Sequence, residues 1–227
     1  MGTVGGCHCL VVCAGSLHPA TLTRWQVRTD GLVIAADGGY LHCRTLGLTP
    51  HLIVGDFDSA PRPDSTVETL VFPARKDDTD CMLALREGVA RGCNRFTLLG
   101  ATGGRLDHTL AAIQSLAWLW EQPATGGTAP RGVLCDRHTL ITLVHPGEPL
   151  VLTADDYPCL GDCYLSVFAL DSVCTGVTLQ GVAYPLDNHT LTNSFPLGVS
   201  NRVNTPQATV SVATGRLLVL LADERTE

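Results

Sequence analysis

Apolar residues come in short unbroken runs over the first part of the chain, and each run closes on glycine or aspartate. Leu10-Val-Val-Cys13 stops at Gly15, Leu32 to Ala36 at Asp37-Gly38-Gly39, His51 to Val54 at Gly55-Asp56, and Phe96 to Leu99 at Gly100. Runs of this length without alternation predict strands buried on both faces. Leu70 to Phe72, Val133-Leu134 and Leu140 to Val144 predict further strands. Helical spacing appears between them. Tyr40 to Leu46 fits a short helix stopped by Gly47. A longer helix starts at a cap on Asp77 or Asp78, carries Met82, Leu83, Leu85 and Val89 on its apolar face, and ends at Gly92. Another runs from about Leu106 to Trp120, and the Gly/Ala/Thr/Pro-rich stretch from Pro123 to Pro130 reads as a loop.

The pattern changes near Pro146. Short β-rich runs follow at Leu150 to Leu152, Tyr164 to Leu170, Val177 to Leu179, Ala208 to Val212 and Leu217 to Leu221, separated by Gly, Pro, Asn and Asp. That spacing predicts an antiparallel sandwich or barrel. The expected fold class is therefore α/β: an N-terminal mostly parallel sheet with helices on both faces, residues 1–145, followed by a C-terminal all-β sandwich domain, residues 146–227. In parallel sheets of this kind, ligands bind beyond the carboxyl ends of the strands.

Composition narrows the chemistry. With 45% hydrophobic and 16% charged residues among 227, the chain can bury a core. A net charge of -7 without a basic run disfavours a nucleic-acid partner. The apolar stretch at the N-terminus lacks a basic n-region, and no segment is long enough to span a bilayer, so no membrane association is expected. The ten cysteines include no Cys-x-x-Cys motif. They read best as reduced, buried thiols of a cytoplasmic protein.

Candidate chemistry gathers at the strand ends. Asp56 and Asp58 of Gly55-Asp56-Phe57-Asp58-Ser59 would project the same way from an extended backbone, and two hard oxygen donors suit Mg²⁺. The same residues equally suit a turn. Lys76-Asp77-Asp78-Thr79-Asp80 holds more acid than a helix cap requires: Asp80 could reach a metal and Lys76 a phosphate oxygen, although an exposed charged helix start is the simpler reading. Gly103-Gly104-Arg105-Leu106-Asp107-His108 lies between a strand and a helix, where backbone N–H groups favour anions and Arg105 can fork onto phosphate. A glycine turn with a local Arg105–Asp107 ion pair is the alternative. Neither a Walker A loop nor a dinucleotide fingerprint is present.

Taken in order, Asp37-Gly38-Gly39, Gly-Asp-Phe-Asp-Ser at 55–59, Lys-Asp-Asp-Thr-Asp at 76–80 and Gly-Gly-Arg-Leu-Asp-His at 103–108 resemble the motifs of thiamine pyrophosphokinases. Gly181-Val-Ala-Tyr184 and Gly198-Val-Ser200-Asn201 resemble that family's thiamine-side motifs, although eukaryotic members carry Gly-Leu-Lys-Trp where this chain has Gly181 to Tyr184. The resemblance implies transfer of the terminal pyrophosphoryl unit of ATP to the hydroxyethyl oxygen of thiamine, giving thiamine diphosphate and AMP. It implies an α/β nucleotide domain followed by a β-sandwich. It also implies a homodimer whose sites combine the α/β domain of one subunit with the β domain of the other.

By motif position, Asp56, Asp58 and Asp80 would be the Mg²⁺ and phosphate carboxylates. Asp37, Gly38, Lys76, Asp77, Thr79, Gly103, Gly104 and Arg105 would bind ATP, with Asp107 in the same catalytic group. Tyr184, Ser200 and Asn201 would form the thiamine-binding group, with Ser200 and Asn201 in contact with thiamine and Tyr184 nearby. The expected reaction is in-line attack on the β-phosphorus, with the alcohol proton passing to Asp107 or to one of the metal-side aspartates. An Asp-x-Asp phosphatase is a poor rival, because its first aspartate should follow the N-terminal strand, and that strand ends in Ala14-Gly15-Ser16. A non-catalytic nucleotide sensor would not need every acidic position and Arg105.

Overall fold

The computed structural model describes residues 6–57, 66–73, 78–124 and 127–223. Two compact units are present, one ending at Arg137 and the other beginning at His138.

The first unit contains β1 (Cys7–Val12), α1 (Ala20–Arg24), β2 (Leu32–Ala36), α2 (Gly39–Thr45), β3 (Leu52–Gly55), β4 (Glu68–Val71), α3 (Asp80–Ala90), β5 (Cys93–Leu99), α4 (Leu106–Trp120) and β6 (Arg131–Cys135). Its strands lie in the order β6-β5-β1-β2-β3-β4, and every described pairing among them is parallel. Leu10, Val11, Val12, Ile34, Leu52, Val54, Leu98 and Leu99 are fully buried. This is why these strands read as continuous apolar runs and do not alternate. From β1 the chain steps outward through β2, β3 and β4, then returns across the sheet to β5 and β6. Right-handed crossovers therefore put α1 and α2 on one face and α3 and α4 on the other, and α3 does pack against α4. The reversal of direction falls between β1 and β5, where a doubly wound sheet opens a crevice at its carboxyl edge.

Two helices differ from their sequence expectation. α1 was not expected, because five residues are too few to show a periodicity. The cap of α3 is neither Asp77 nor Asp78. It is Thr79, extended at φ -72° and ψ 157°, whose hydroxyl accepts the Met82 N–H at 3.2 Å. Asp78 instead pairs with Arg86 at 3.2 Å. The buried residues of α3 are Leu83, Ala84, Leu85 and Gly88, so the packed face turns toward the small residues and away from Met82 and Val89.

The second unit is antiparallel throughout its described pairings. It contains β7 (Thr139–Val144), β8 (Leu150–Thr153), β9 (Cys163–Ala169), β10 (Val173–Gln180), β11 (Leu186–Thr192), β12 (Gly198–Arg202), β13 (Gln207–Ser211) and β14 (Leu217–Asp223). One sheet runs β12-β9-β14-β7 and the other, four-stranded, runs β11-β10-β13-β8. Here alternation is clear: Leu217, Val219 and Leu221 of β14, Cys163, Leu165 and Val167 of β9, and Ala208 and Val210 of β13 are buried. The division expected between 145 and 146 moves to 137/138, because β7 pairs with β14 from Thr139 to Val144 and belongs to the β unit. Strands β11 and β12 were not expected either. Their polar sequences, Leu-Asp-Asn-His-Thr-Leu-Thr and Gly-Val-Ser-Asn-Arg, leave mostly exposed side chains and no apolar period to read.

Candidate active site

In the first unit the loops after β1 and β5 are laced together at the crevice. Cys13 N–H donates to Leu99 O at 2.8 Å, Gly15 N–H to Gly100 O at 2.7 Å, and Ser16 N–H to Thr102 O at 2.8 Å. Ser16 Oγ donates to Gly103 O at 2.6 Å, and His42 Nε2 meets Gly15 O at 2.7 Å. Thr102 Oγ1 donates to Asp136 Oδ2 at 2.9 Å. Gly103 has φ +73°, and a Cβ there would collide with the Ser16 side chain, so both its conformation and its neighbour demand glycine. Gly103, Gly104 and Arg105 are exposed at this edge, immediately before α4.

Arg105 and Asp107 form a bidentate pair, Nε to Oδ1 at 3.1 Å and Nη2 to Oδ2 at 2.6 Å. The local ion pair is therefore present. Hydrogen bonding by Arg105 holds the Asp107 carboxyl below its ordinary range. Nη1 of Arg105 takes no part in the pair and leaves the guanidinium a face for an anion.

Asp37 and Gly38 follow β2 and are buried, with Asp37 at φ +45°. The Asp37 N–H donates to Val54 O at 2.7 Å, and a Cβ on Gly55 would lie 3.0 Å from Asp37 Cα, so the ends of β2 and β3 abut. Asp56 follows directly and is half-buried. The next residue, Phe57, has φ +57°, so the backbone leaves the extended conformation there. The shared direction expected of Asp56 and Asp58 presupposed an extended chain and loses that support. Asp58, Lys76 and Asp77 lie outside the described residues. Thr79 and Asp80 are half-buried at the start of α3. Hydrogen bonding to Cys81, burial, and the charges of Cys81 and Asp80 together push the Cys13 thiol, the residue after β1, well above its ordinary value.

Among the described residues, no three His, Cys, Asp or Glu side chains form a metal-holding group. Asp56 and Asp80 are oxygen donors of the type Mg²⁺ takes singly or in pairs, completing its shell with water and phosphate. The donor chemistry therefore fits that ion.

In the second unit Tyr184, Ser200 and Asn201 are brought together. Tyr184 is 72% exposed and Asn201 only 4%. Asn201 Oδ1 accepts the Tyr184 N–H at 3.0 Å, and Asn201 Nδ2 donates to Tyr184 O at 2.7 Å. Ser200 is exposed at φ +59°, and its N–H donates to Ser166 Oγ at 3.0 Å. Sequence reasoning missed Ser166, which is the single serine in the apolar run from Tyr164 to Leu170. A serine interrupting a buried strand was the one available signal.

Residues 25–125 match the family described as "Thiamin pyrophosphokinase, catalytic domain", and residues 157–218 the one described as "Thiamin pyrophosphokinase, vitamin B1 binding domain". A thiamine pyrophosphokinase of Bacillus subtilis is 29% identical over 202 residues, which is 83% of this chain and 86% of that protein. The crystal structure of a thiamin pyrophosphokinase family protein from Enterococcus faecalis is 30% identical, covers 96% of this chain and 100% of its own, and superposes with a TM-score of 0.74. The Bacillus subtilis crystal structure has a TM-score of 0.81 at 24% identity, with 96% and 100% of the two chains covered.

Proposed function

The chain belongs to the thiamin pyrophosphokinase family, and on that premise we propose that it transfers the pyrophosphoryl group of ATP to the hydroxyethyl oxygen of thiamine, giving thiamine diphosphate and AMP. One observation carries the reading: the carboxyl edge of the doubly wound sheet gathers Asp37, Asp56, Asp80 and the Gly103–Arg105 loop at the ends of β2, β3 and β5 and the start of α3. That is an edge built for a polyanion and its counter-ion.

The residue roles combine motif position with chemistry. Gly103 and Gly104 allow phosphate oxygens close to backbone N–H groups, and Arg105 neutralises charge on the transferred group. Asp37, Gly38, Lys76, Asp77 and Thr79 contribute to the ATP side. The Thr79 hydroxyl accepts from Met82 N–H and still has its own proton to donate. Asp56, Asp58 and Asp80 would hold Mg²⁺, which when bound screens the phosphates and lowers the charge cost of transfer. Asp107 orients Arg105 through their bidentate pair, and Asp107 and the metal-side aspartates are the proton acceptors to test. Tyr184 and Ser200 form the thiamine side, within the stretch that matches the vitamin B1 binding description, and the buried Asn201 is bonded to the Tyr184 backbone, where the motif implied a thiamine contact.

The reading extends to a homodimer of the 24.1 kDa chain and to the cytoplasm, where the ten free thiols would stay reduced. The deciding experiment incubates the protein with ATP, Mg²⁺ and thiamine. Thiamine diphosphate and AMP are expected; thiamine monophosphate with ADP would overturn pyrophosphoryl transfer.

A further inference from the structure

We propose that Ser166 and Asn201 are positioning residues of the thiamine side, holding Ser200 and Tyr184 in place without touching substrate. The inference rests on the reading of Tyr184 and Ser200 as thiamine contacts.

The edge strand β12 pairs irregularly with β9. Gly198 is opposite Val167 of β9 and Asn201 is opposite Leu165. Three steps along β12 thus match two along β9, so β12 carries one extra residue, a β-bulge. The bulge sits at Val199–Ser200, and Ser200 takes the left-handed φ of +59° that a non-glycine residue adopts only when its surroundings impose it. A bulge breaks the ladder and strands a backbone N–H. Here the stranded N–H of Ser200 is met by the hydroxyl of Ser166, which is 8% exposed, midway between Leu165 and Val167. Ser166 therefore stabilises the conformation that presents Ser200 to solvent.

Asn201 does the equivalent for Tyr184. The segment beyond β12 pairs with residues 181–183: Ala183 N–H donates to Arg202 O at 2.8 Å, Asn204 N–H to Gly181 O at 3.1 Å, and Val182 is bridged to Val203. One residue further on, the backbone partner is replaced by a side chain. The Asn201 amide accepts from Tyr184 N–H and donates to Tyr184 O, so it acts as a peptide group and extends the ladder by one rung. Its Oδ1 also accepts the Arg202 N–H at 2.9 Å. Two donors facing one atom and an acceptor facing the other fix which way the amide points. With its oxygen doubly engaged and 4% of its surface exposed, Asn201 is committed to the fold, while the ring it anchors is 72% exposed. Buried polar groups bonded to the backbone below an exposed aromatic and a strained serine form the support of a binding site.

The test uses the full chain, with thiamine and ATP varied separately. Ser166→Ala is expected to raise the KM for thiamine about tenfold, the order expected for orphaning one backbone group, and Asn201→Ala, which orphans three, by at least as much. The KM for ATP should stay within about twofold, and Ser166→Thr, which keeps the hydroxyl, should return thiamine KM to within about twofold of wild type. Positioning also predicts non-additivity. Asn201→Ala should add nothing to the thiamine KM of Tyr184→Ala, and Ser166→Ala nothing to that of Ser200→Ala. Multiplying effects would mean independent contacts and overturn the proposal, as would an unchanged thiamine KM in Ser166→Ala while Ser200→Ala raises it. If Tyr184→Ala and Ser200→Ala both leave thiamine KM unchanged, the thiamine-side reading itself fails. Should Asn201→Ala not fold, the Ser166 series carries the same decision.

Discussion

At the scale of single residues, charged groups divide into those that hold loops and those that the proposed chemistry would use. Asp171 belongs to the first kind. It accepts from the Arg216 backbone N–H at 2.9 Å and from Arg216 Nη2 at 2.7 Å, just ahead of β14. Those hydrogen bonds hold its carboxyl below the ordinary range. A depressed carboxylate contributes stability above its unfolded-state value of about 4, and the contribution is lost as pH falls through the lower folded-state value. Both side chains are partly exposed, at 28% and 33%, so the contribution is discounted. Asp171→Asn should cost about 1 kcal/mol in urea unfolding at pH 7, and the difference from wild type should vanish at strongly acid pH. An undiminished difference there would disprove the linkage. Asp80 belongs to the second kind. Asp80→Asn should lower kcat by about a hundredfold or more with an unchanged far-UV circular dichroism spectrum; near-wild-type turnover would remove Asp80 from the site.

At the scale of elements, helix starts decide where the site sits. Thr79 caps α3 and thereby sets the position of Asp80 in the first turn. Thr79→Ala should cost about 1 kcal/mol of stability, read as a lower thermal midpoint, and Thr79→Ser should restore most of it. At α2 the helix start presses on the neighbouring strand: a Cβ on Gly39 would collide with the Val12 carbonyl oxygen of β1. That oxygen is backbone inside the central strand and cannot swing aside. Gly39→Ala should therefore destabilise by about 2–4 kcal/mol in urea unfolding. A midpoint equal to wild type would show that α2 can shift away from β1. The glycine of Asp37-Gly38-Gly39 thus has a packing role beside any ligand role.

At the scale of the whole molecule, the proposed activity predicts metal dependence. Chelation by EDTA should abolish thiamine diphosphate formation and added Mg²⁺ should restore it; turnover undisturbed by chelator would remove the cation from the reaction. Sedimentation equilibrium should give twice the 24.1 kDa chain mass, and a monomer would exclude the shared-site homodimer. The α/β unit was legible from the chain because parallel strands are buried on both faces and so appear as apolar runs, and because glycine and aspartate mark their ends. The same logic located Asp37, Asp56, Asp80 and Arg105 at strand ends and helix starts. The β unit was legible only in its buried strands. β11 carries mainly exposed polar side chains and β12 has no alternating apolar positions, and their pairing is a matter of backbone hydrogen bonds that no side-chain period encodes. The chain's own order of residues determined the two architectures and the charged strand ends. Tertiary structure alone decided that β7 belongs with β14, that Arg105 is tied to Asp107, and that Ser166 and Asn201 stand behind Ser200 and Tyr184. Each of these depends on which residues meet across space, and a bulge or a side-chain amide replacing a peptide leaves no mark in local sequence.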